Sequence, residues 1–210
     1  MIKNFVFDFD GTIANSKDKI IQIINELSYK YGYEKLSIQQ IKLFQSKGAR
    51  WLISNLEISK MRVPFLMRDI RADLFEITKD LKPFVGISNV LRELKDHKIV
   101  LGILTTNSES NVRLFIKNNN IDFFDFIYHG SSLFGKDVLL RKMLKGQKLN
   151  KEETVYVGDE DRDIEAAKKI GLKSIAVTWG FNSKKLLAST KPNYLITKPL
   201  DLLSILESSL

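Results

Sequence analysis

Short apolar runs alternate along the chain with segments whose apolar residues recur at helical spacing. The runs "FVFDF" (5–9), "IVLGILTT" (99–106), "FDFIYHG" (124–130), "TVYVGD" (154–159) and "SIAVTW" (174–179) lack the in/out alternation of a half-exposed strand. They suit strands buried on both faces of a parallel sheet. Between them, "SNVLRELKDH", "SESNVRLFIKNN", "KDVLLRKMLK" and "RDIEAAKKIG" read as amphipathic helices, the last closing on Gly171 as a left-handed cap. The alternation predicts an α/β fold: a doubly wound, mostly parallel sheet.

One stretch departs from this rhythm. From 17 to 82 there is helical periodicity and no strand pattern. Ile20, Ile23, Ile24, Leu27 and Tyr31 share one face, Ser37 and Gln40 have the spacing of a capping box, and Pro64 suits a first helical turn. Leu66, Ile70, Leu74 and Ile77 line the helix that follows. The expected organisation is an α/β domain formed by 1–16 and 83–210, with an all-helical domain inserted over 17–82.

Composition narrows the function classes. The chain has 210 residues, 44% hydrophobic and 28% charged, and no cysteine. That removes disulfides, thiolate metal sites and a cysteine nucleophile, and it fits a cytoplasmic address. No apolar run is long enough to span a bilayer, so no membrane role is expected. The net charge of +8 comes from lysines scattered over polar helix faces and helix ends, without a nucleic-acid-binding motif. No nucleic-acid partner is expected.

The candidate chemistry lies in carboxylates at strand ends. Asp8 and Asp10 close the first run, and alternation sends both to the same side if both remain extended. Asp159 closes "TVYVGD" at the corresponding end, where open α/β sheets bind ligands. Carboxylates converging there repel one another unless a hard cation sits among them, and oxygen ligands suit magnesium.

"DFDGT", then "LGILTTN", then "GK", then "VGDEDRD", in this order after strands, resembles the four motifs of the haloacid dehalogenase superfamily. The resemblance covers essentially the whole chain. It implies a Rossmann-like core, with the helical insertion as a C1-type cap, and it is nearest to phosphoglycolate phosphatase-like members. By it, Asp8 is the nucleophile forming an aspartyl-phosphate, and Asp10 is the general acid and base. Gly11 and Thr12 shape the turn, whose amides would hold phosphate oxygens. Thr105 offers a hydroxyl to phosphate, helped by Thr106 and Asn107, unless this trio caps the next helix. Lys136 offsets the charge of nucleophile and phosphoryl group. It is followed by Asp137, where many members of the family have proline.

The resemblance also implies Mg2+ held by Asp8, the backbone carbonyl of Asp10, Asp159 and Asp163. Glu160 and Asp161 are then left to solvent, loop or helix-start roles. The expected activity is magnesium-dependent hydrolysis of a small phosphate monoester, with phosphoglycolate the leading named candidate, by a monomer or weak homodimer. Two alternatives stay open: a β-phosphoglucomutase-like phosphomutase, and a non-catalytic binding protein with the same fold. The cap stretch "QSKGARWL" offers Arg50, and less strongly Lys47, as a partner for a substrate carboxylate. His97, His129, Trp51 and Trp179 are read as surface, loop or packing residues.

Overall fold

In the computed structural model, which describes residues 1–130 and 135–208, the apolar runs form a six-stranded sheet with every neighbouring pair parallel. The strands are β1 Asn4–Phe7, β2 Val100–Thr105, β3 Phe126–His129, β4 Thr154–Gly158, β5 Lys173–Val177 and β6 Tyr194–Ile196, in spatial order β3-β2-β1-β4-β5-β6. β6 has no counterpart among the expected strands. It is three residues long, too short for any periodicity to show.

Alternate residues of each strand serve different layers. Phe5, Phe7, Leu101, Ile103, Val155 and Val157 face helices α5 (Ile87–Asp96), α6 (Glu109–Asn119) and α10 (Asp201–Glu207) in one core. Val6, Leu104 and Tyr156 point the other way, toward Leu140 and Met143 of α7 (Lys136–Gly146) and Ala167 of α8 (Asp161–Lys169). A short helix α9 (Lys184–Ser189) precedes β6. The sheet is therefore doubly wound, and its central strands are buried on both faces as their unbroken apolar composition requires.

The segment between β1 and α5 is helical: α1 Lys17–Tyr31, α2 Ile38–Lys47, α3 Ala49–Asn55 and α4 Val63–Ile77. Ser37 and Gln40 form the expected capping box, with Ser37 Oγ accepting from the Gln40 N–H at 3.2 Å and Gln40 Oε1 accepting from the Ser37 N–H at 2.8 Å. Pro64 sits in the first turn of α4, where its missing N–H is tolerated. These helices enclose a separate core that includes Ile24, Phe44, Leu52, Leu66 and Ile70. The chain enters and leaves the segment through paired backbone: the Asn15 N–H donates to Lys82 O at 2.9 Å, and the Phe84 N–H to Ile13 O at 3.1 Å. Phe181, from the loop after β5, packs into the helical core.

Inside the helical segment, the carboxylate of Asp69 is buried and accepts from Lys30 at 2.6 Å, Tyr31 Oη at 2.7 Å and Arg68 at 2.9 Å. The Lys30 contact, then the Tyr31 hydroxyl, hold its pKa well below the usual carboxylate range. A depressed folded-state pKa contributes stability that is present above the unfolded value of about 4 and is lost as pH falls below it. Both cations are largely exposed, so the pairs are screened. Asp69→Ala should cost about 1–2 kcal/mol in urea unfolding at pH 7 and progressively less as pH is lowered from 4 to 2. An equal cost throughout would contradict the ionised role.

Candidate active site

β1 ends at Phe7, so Asp8 and Asp10 lie in the loop beyond the strand and not along it. The condition for strand alternation, that both remain extended, is therefore not met, yet both residues line one cavity. Asp8 remains tied to the sheet, its N–H donating to Val157 O at 2.8 Å, while its Oδ1 accepts the Phe9 N–H at 2.8 Å. The loop then folds on itself, with the Ile13 and Ala14 amides both donating to Phe9 O, at 2.9 Å and 3.0 Å. β4 adjoins β1, so Gly158 delivers Asp159 beside Asp8, and the first turn of α8 adds Asp163.

Oxygens from Asp8, Asp159 and Asp163 all lie within 4.8 Å of one another, and all three residues are buried. Lys136, the first residue of α7, is buried between two of them, 2.7 Å from Asp8 Oδ2 and hydrogen-bonded to Asp163 Oδ1. Burial alone would lower the lysine pKa, but the charges of Asp163 and Asp8 outweigh it and the shift is upward. Asp159 has no such cation. Its oxygens accept from Thr12 Oγ1 and from the Phe181 N–H, each at 2.7 Å.

The titration behaviour follows from this shortage of positive charge. Burial pushes Asp8 up to about 7, against the pull of Lys136. Asp159 is raised well above its ordinary range by burial, then by the charges of Glu160, Asp163 and Asp8. Carboxylates this crowded stay ionised together only with a further cation among them. The oxygen-only donor set fits a hard divalent ion. The acidic side chains that could hold one are Asp8, Asp159 and Asp163. The Asp10 carboxylate lies outside this group, since Asn107 Nδ2 donates to its Oδ2 at 3.0 Å.

Asp10 is positioned for a different task. Its Oδ1 is buried and makes no close hydrogen bond among the described residues, and burial raises its pKa, opposed in part by the nearby Ser16 hydroxyl and then by Asn107. Asn107 is itself fixed, its Oδ1 accepting from the Ser108 N–H and from Asn111 Nδ2, both at 2.8 Å. Thr105 is buried, and its Oγ1 accepts the Asn107 N–H at 3.0 Å. The N-cap of α6 is Ser108, so Thr105, Thr106 and Asn107 are left facing the cavity beside Asp8 and Asp10.

Several expectations are corrected. The Gly11 and Thr12 amides are spent inside the turn, on Ala14 O at 3.0 Å and Phe9 O at 3.3 Å, so they are not donors to a phosphate. The Thr12 hydroxyl supports Asp159, and Trp179 Nε1 donates to Thr12 O at 3.0 Å, holding that turn from behind. Arg50 is not brought to the cavity: its guanidinium is exposed and pairs with Glu165 at 2.8 Å. Lys47 lies over the Trp51 ring, 5.5 Å from its centroid. Asp137 pairs with Lys169 at 2.8 Å.

Of the roles expected for Glu160, the helix-start role holds, and the side chain is buried. It ion-pairs with Arg162 and forms a capping box with Asp163 at the start of α8, and both Glu160 and Arg162 face the cavity. The Glu160/Asp163 spacing was the available signal. Nothing in the sequence distinguished Arg162 from a surface arginine, or showed that Asn182 Oδ1 would accept the Asp161 N–H at 2.7 Å.

Comparison with known proteins agrees with this arrangement. Residues 5–177 match the family model described as haloacid dehalogenase-like hydrolase. A phosphoglycolate phosphatase of Synechococcus elongatus is 29% identical over 199 residues, covering 94% of each chain. The pyrophosphatase PpaX of Bacillus mycoides is 27% identical over 210 residues, covering 98% of this chain and 97% of that one. Among solved structures, a haloacid dehalogenase-like family hydrolase from Streptococcus pneumoniae superposes with a TM-score of 0.82 at 26% identity, covering 98% of both chains.

The packing around Asp159 leaves no room for an added methyl. A Cβ on Gly180 would lie 2.1 Å from Asp159 Oδ2 and 2.4 Å from its Cβ, so Asp159 itself would have to move. Gly180→Ala should therefore destabilise the fold by about 1–3 kcal/mol in denaturant unfolding. Wild-type stability in that variant would contradict the close approach of this loop to Asp159.

Proposed function

The chain belongs to the haloacid dehalogenase-like hydrolase family, and from that membership we propose that it is a phosphatase acting on small phosphate monoesters through a covalent intermediate on Asp8. The observation that carries this reading is the pairing of two unlike carboxylates. Asp8 is placed against Lys136 and the acidic cluster, whereas Asp10 lies among the neutral donors of Asn107 and Ser16. One suits a nucleophile and the other a group that carries a proton. A binding protein would need no such division.

In this reading Asp8 attacks phosphorus and the ester oxygen leaves with a proton from Asp10. Asp10, now a carboxylate, takes a proton from the water that attacks the aspartyl-phosphate, and Asp8 is regenerated. Lys136 and the hydroxyl of Thr105 would meet the charge on the phosphoryl oxygens. Asp8, Asp159, Asp163 and the Asp10 carbonyl would hold Mg2+. When bound, the ion supplies positive charge that keeps Asp8 ionised and offsets the charge of the phosphoryl group. The Synechococcus elongatus relative is named for phosphoglycolate, which makes that ester the reference against which other substrates of this chain are compared.

Asp8→Asn should lower phosphate release by about three orders of magnitude or more while leaving the fold intact, because an amide is a poor nucleophile. Release near the wild-type rate from that variant, measured with a generic monoester, would remove Asp8 from the nucleophile role. Chelator should abolish activity and added Mg2+ restore it. Asp159→Ala should shift the Mg2+ concentration for half-maximal rate upward by about tenfold or more. Undiminished turnover in metal-stripped protein would contradict the metal assignment.

A further inference from the structure

The space beside Asp8 and Asp10 runs into the helical segment, and its wall changes character on the way. Asp8, Asp10, Thr105 and Asn107 form the polar end. The rest is built largely from aliphatic and aromatic side chains of α1 to α4, among them Ile24, Phe44, Leu52, Leu66, Met67 and Ile70. The cavity volume is about 130 Å³. Native cores leave few voids larger than a water molecule. An apolar cavity of roughly 150 Å³ stays dry and accepts benzene. The 130 Å³ includes the polar end, so the apolar end suits a small apolar group next to a phosphoryl group held at the two carboxylates.

The charged side chains support the same reading. Arg50 is turned outward to Glu165, and Arg162 is paired with Glu160. Among the lining residues from the helical segment only Arg71 carries a charge. A carboxylate or a polyhydroxy group placed against the aliphatic wall would lose its hydration with few donors in return. An alkyl or aryl group loses nothing there and leaves water.

We infer that the leaving group this site accepts is apolar, so that its substrates are phosphate monoesters of small aliphatic or aromatic alcohols, and not of glycolate or a sugar. The inference rests on the phosphatase reading, with the phosphoryl group at Asp8 and the alcohol portion pointing into the helical segment. Hydrolysis then yields inorganic phosphate and a free apolar alcohol, whose oxygen departs with the proton from Asp10.

Binding of phosphonates, which cannot be hydrolysed, tests the pocket separately from the chemistry. Methyl-, propyl-, pentyl- and phenylphosphonate would be titrated calorimetrically into the full chain with Mg2+, beside phosphonoacetate. Affinity should rise about fourfold per methylene until the cavity is full. Phosphonoacetate should bind no more tightly than methylphosphonate. Met67→Gln, a swap of similar shape at a partly exposed position, should weaken pentylphosphonate more than methylphosphonate.

A ladder that stays flat with chain length would overturn the inference. So would tighter binding of phosphonoacetate than of pentylphosphonate, and its loss in Arg71→Ala would reassign the pocket to an acidic leaving group. Phosphate release from pentyl phosphate and phosphoglycolate, measured in parallel, separates the two levels. A rising ladder with no ester hydrolysed supports the pocket and removes the phosphatase reading. Hydrolysis with a flat ladder does the reverse.

Discussion

Asp8, Asp159, Glu160 and Asp163 are buried at the ends of two adjacent strands, and the repulsion among them sets what the rest of the structure must supply. Two unit charges 4.8 Å apart repel by about 3 kcal/mol at an effective dielectric constant of 20. Lys136 answers Asp8 and Asp163, and Arg162 answers Glu160. Among the described residues, Asp159 receives only the neutral donors of Thr12 and Phe181. The deficit falls at the cluster of Asp8, Asp159 and Asp163, which is why this cluster fits a divalent ion and why Asp8 without one is pushed toward neutrality.

The sheet topology makes this crowding unavoidable and useful. With β1 central and β4 beside it, loops from two strands meet at one carboxyl-end junction, the place where open α/β sheets bind ligands. β2, on the other side of β1, delivers Thr105 and Asn107, and Asn107 takes Asp10 away from the acidic cluster. The two aspartates are two residues apart, yet one faces cations and the other an amide. The separate core of α1 to α4 supplies a wall of different chemistry, so in the proposed reading the phosphoryl group and the leaving group would be met by different parts of the chain.

Much of this was legible in the sequence because it depends on local pattern. Buried parallel strands need unbroken apolar runs, and five of the six strands announced themselves that way. The acidic residues after "FVF" and "TVYVG" could be placed at strand ends for the same reason. What the sequence hid depends on tertiary approach. β6 is too short to show a period. Arg50 looked available to a substrate, but Glu165 on α8 claims it across the interface between helical segment and sheet. Glu160 was legible as a helix-start residue, but not that the α8 turn folds it inward onto Arg162. Gly180 and Phe181 gave no local sign of bearing on Asp159, since 21 and 22 positions separate them from it and only folding joins them.

The central claim is that the uncompensated charge of the buried acidic cluster exists to hold a divalent cation beside Asp8. Anomalous diffraction from crystals grown with Mn2+ in place of Mg2+ tests it most directly. The account predicts one strong peak within coordinating distance of carboxylate oxygens from Asp8, Asp159 and Asp163, absent from crystals of Asp159→Ala. An empty cluster in Mn2+-soaked wild-type crystals, with the ion at another site or at none, would contradict it.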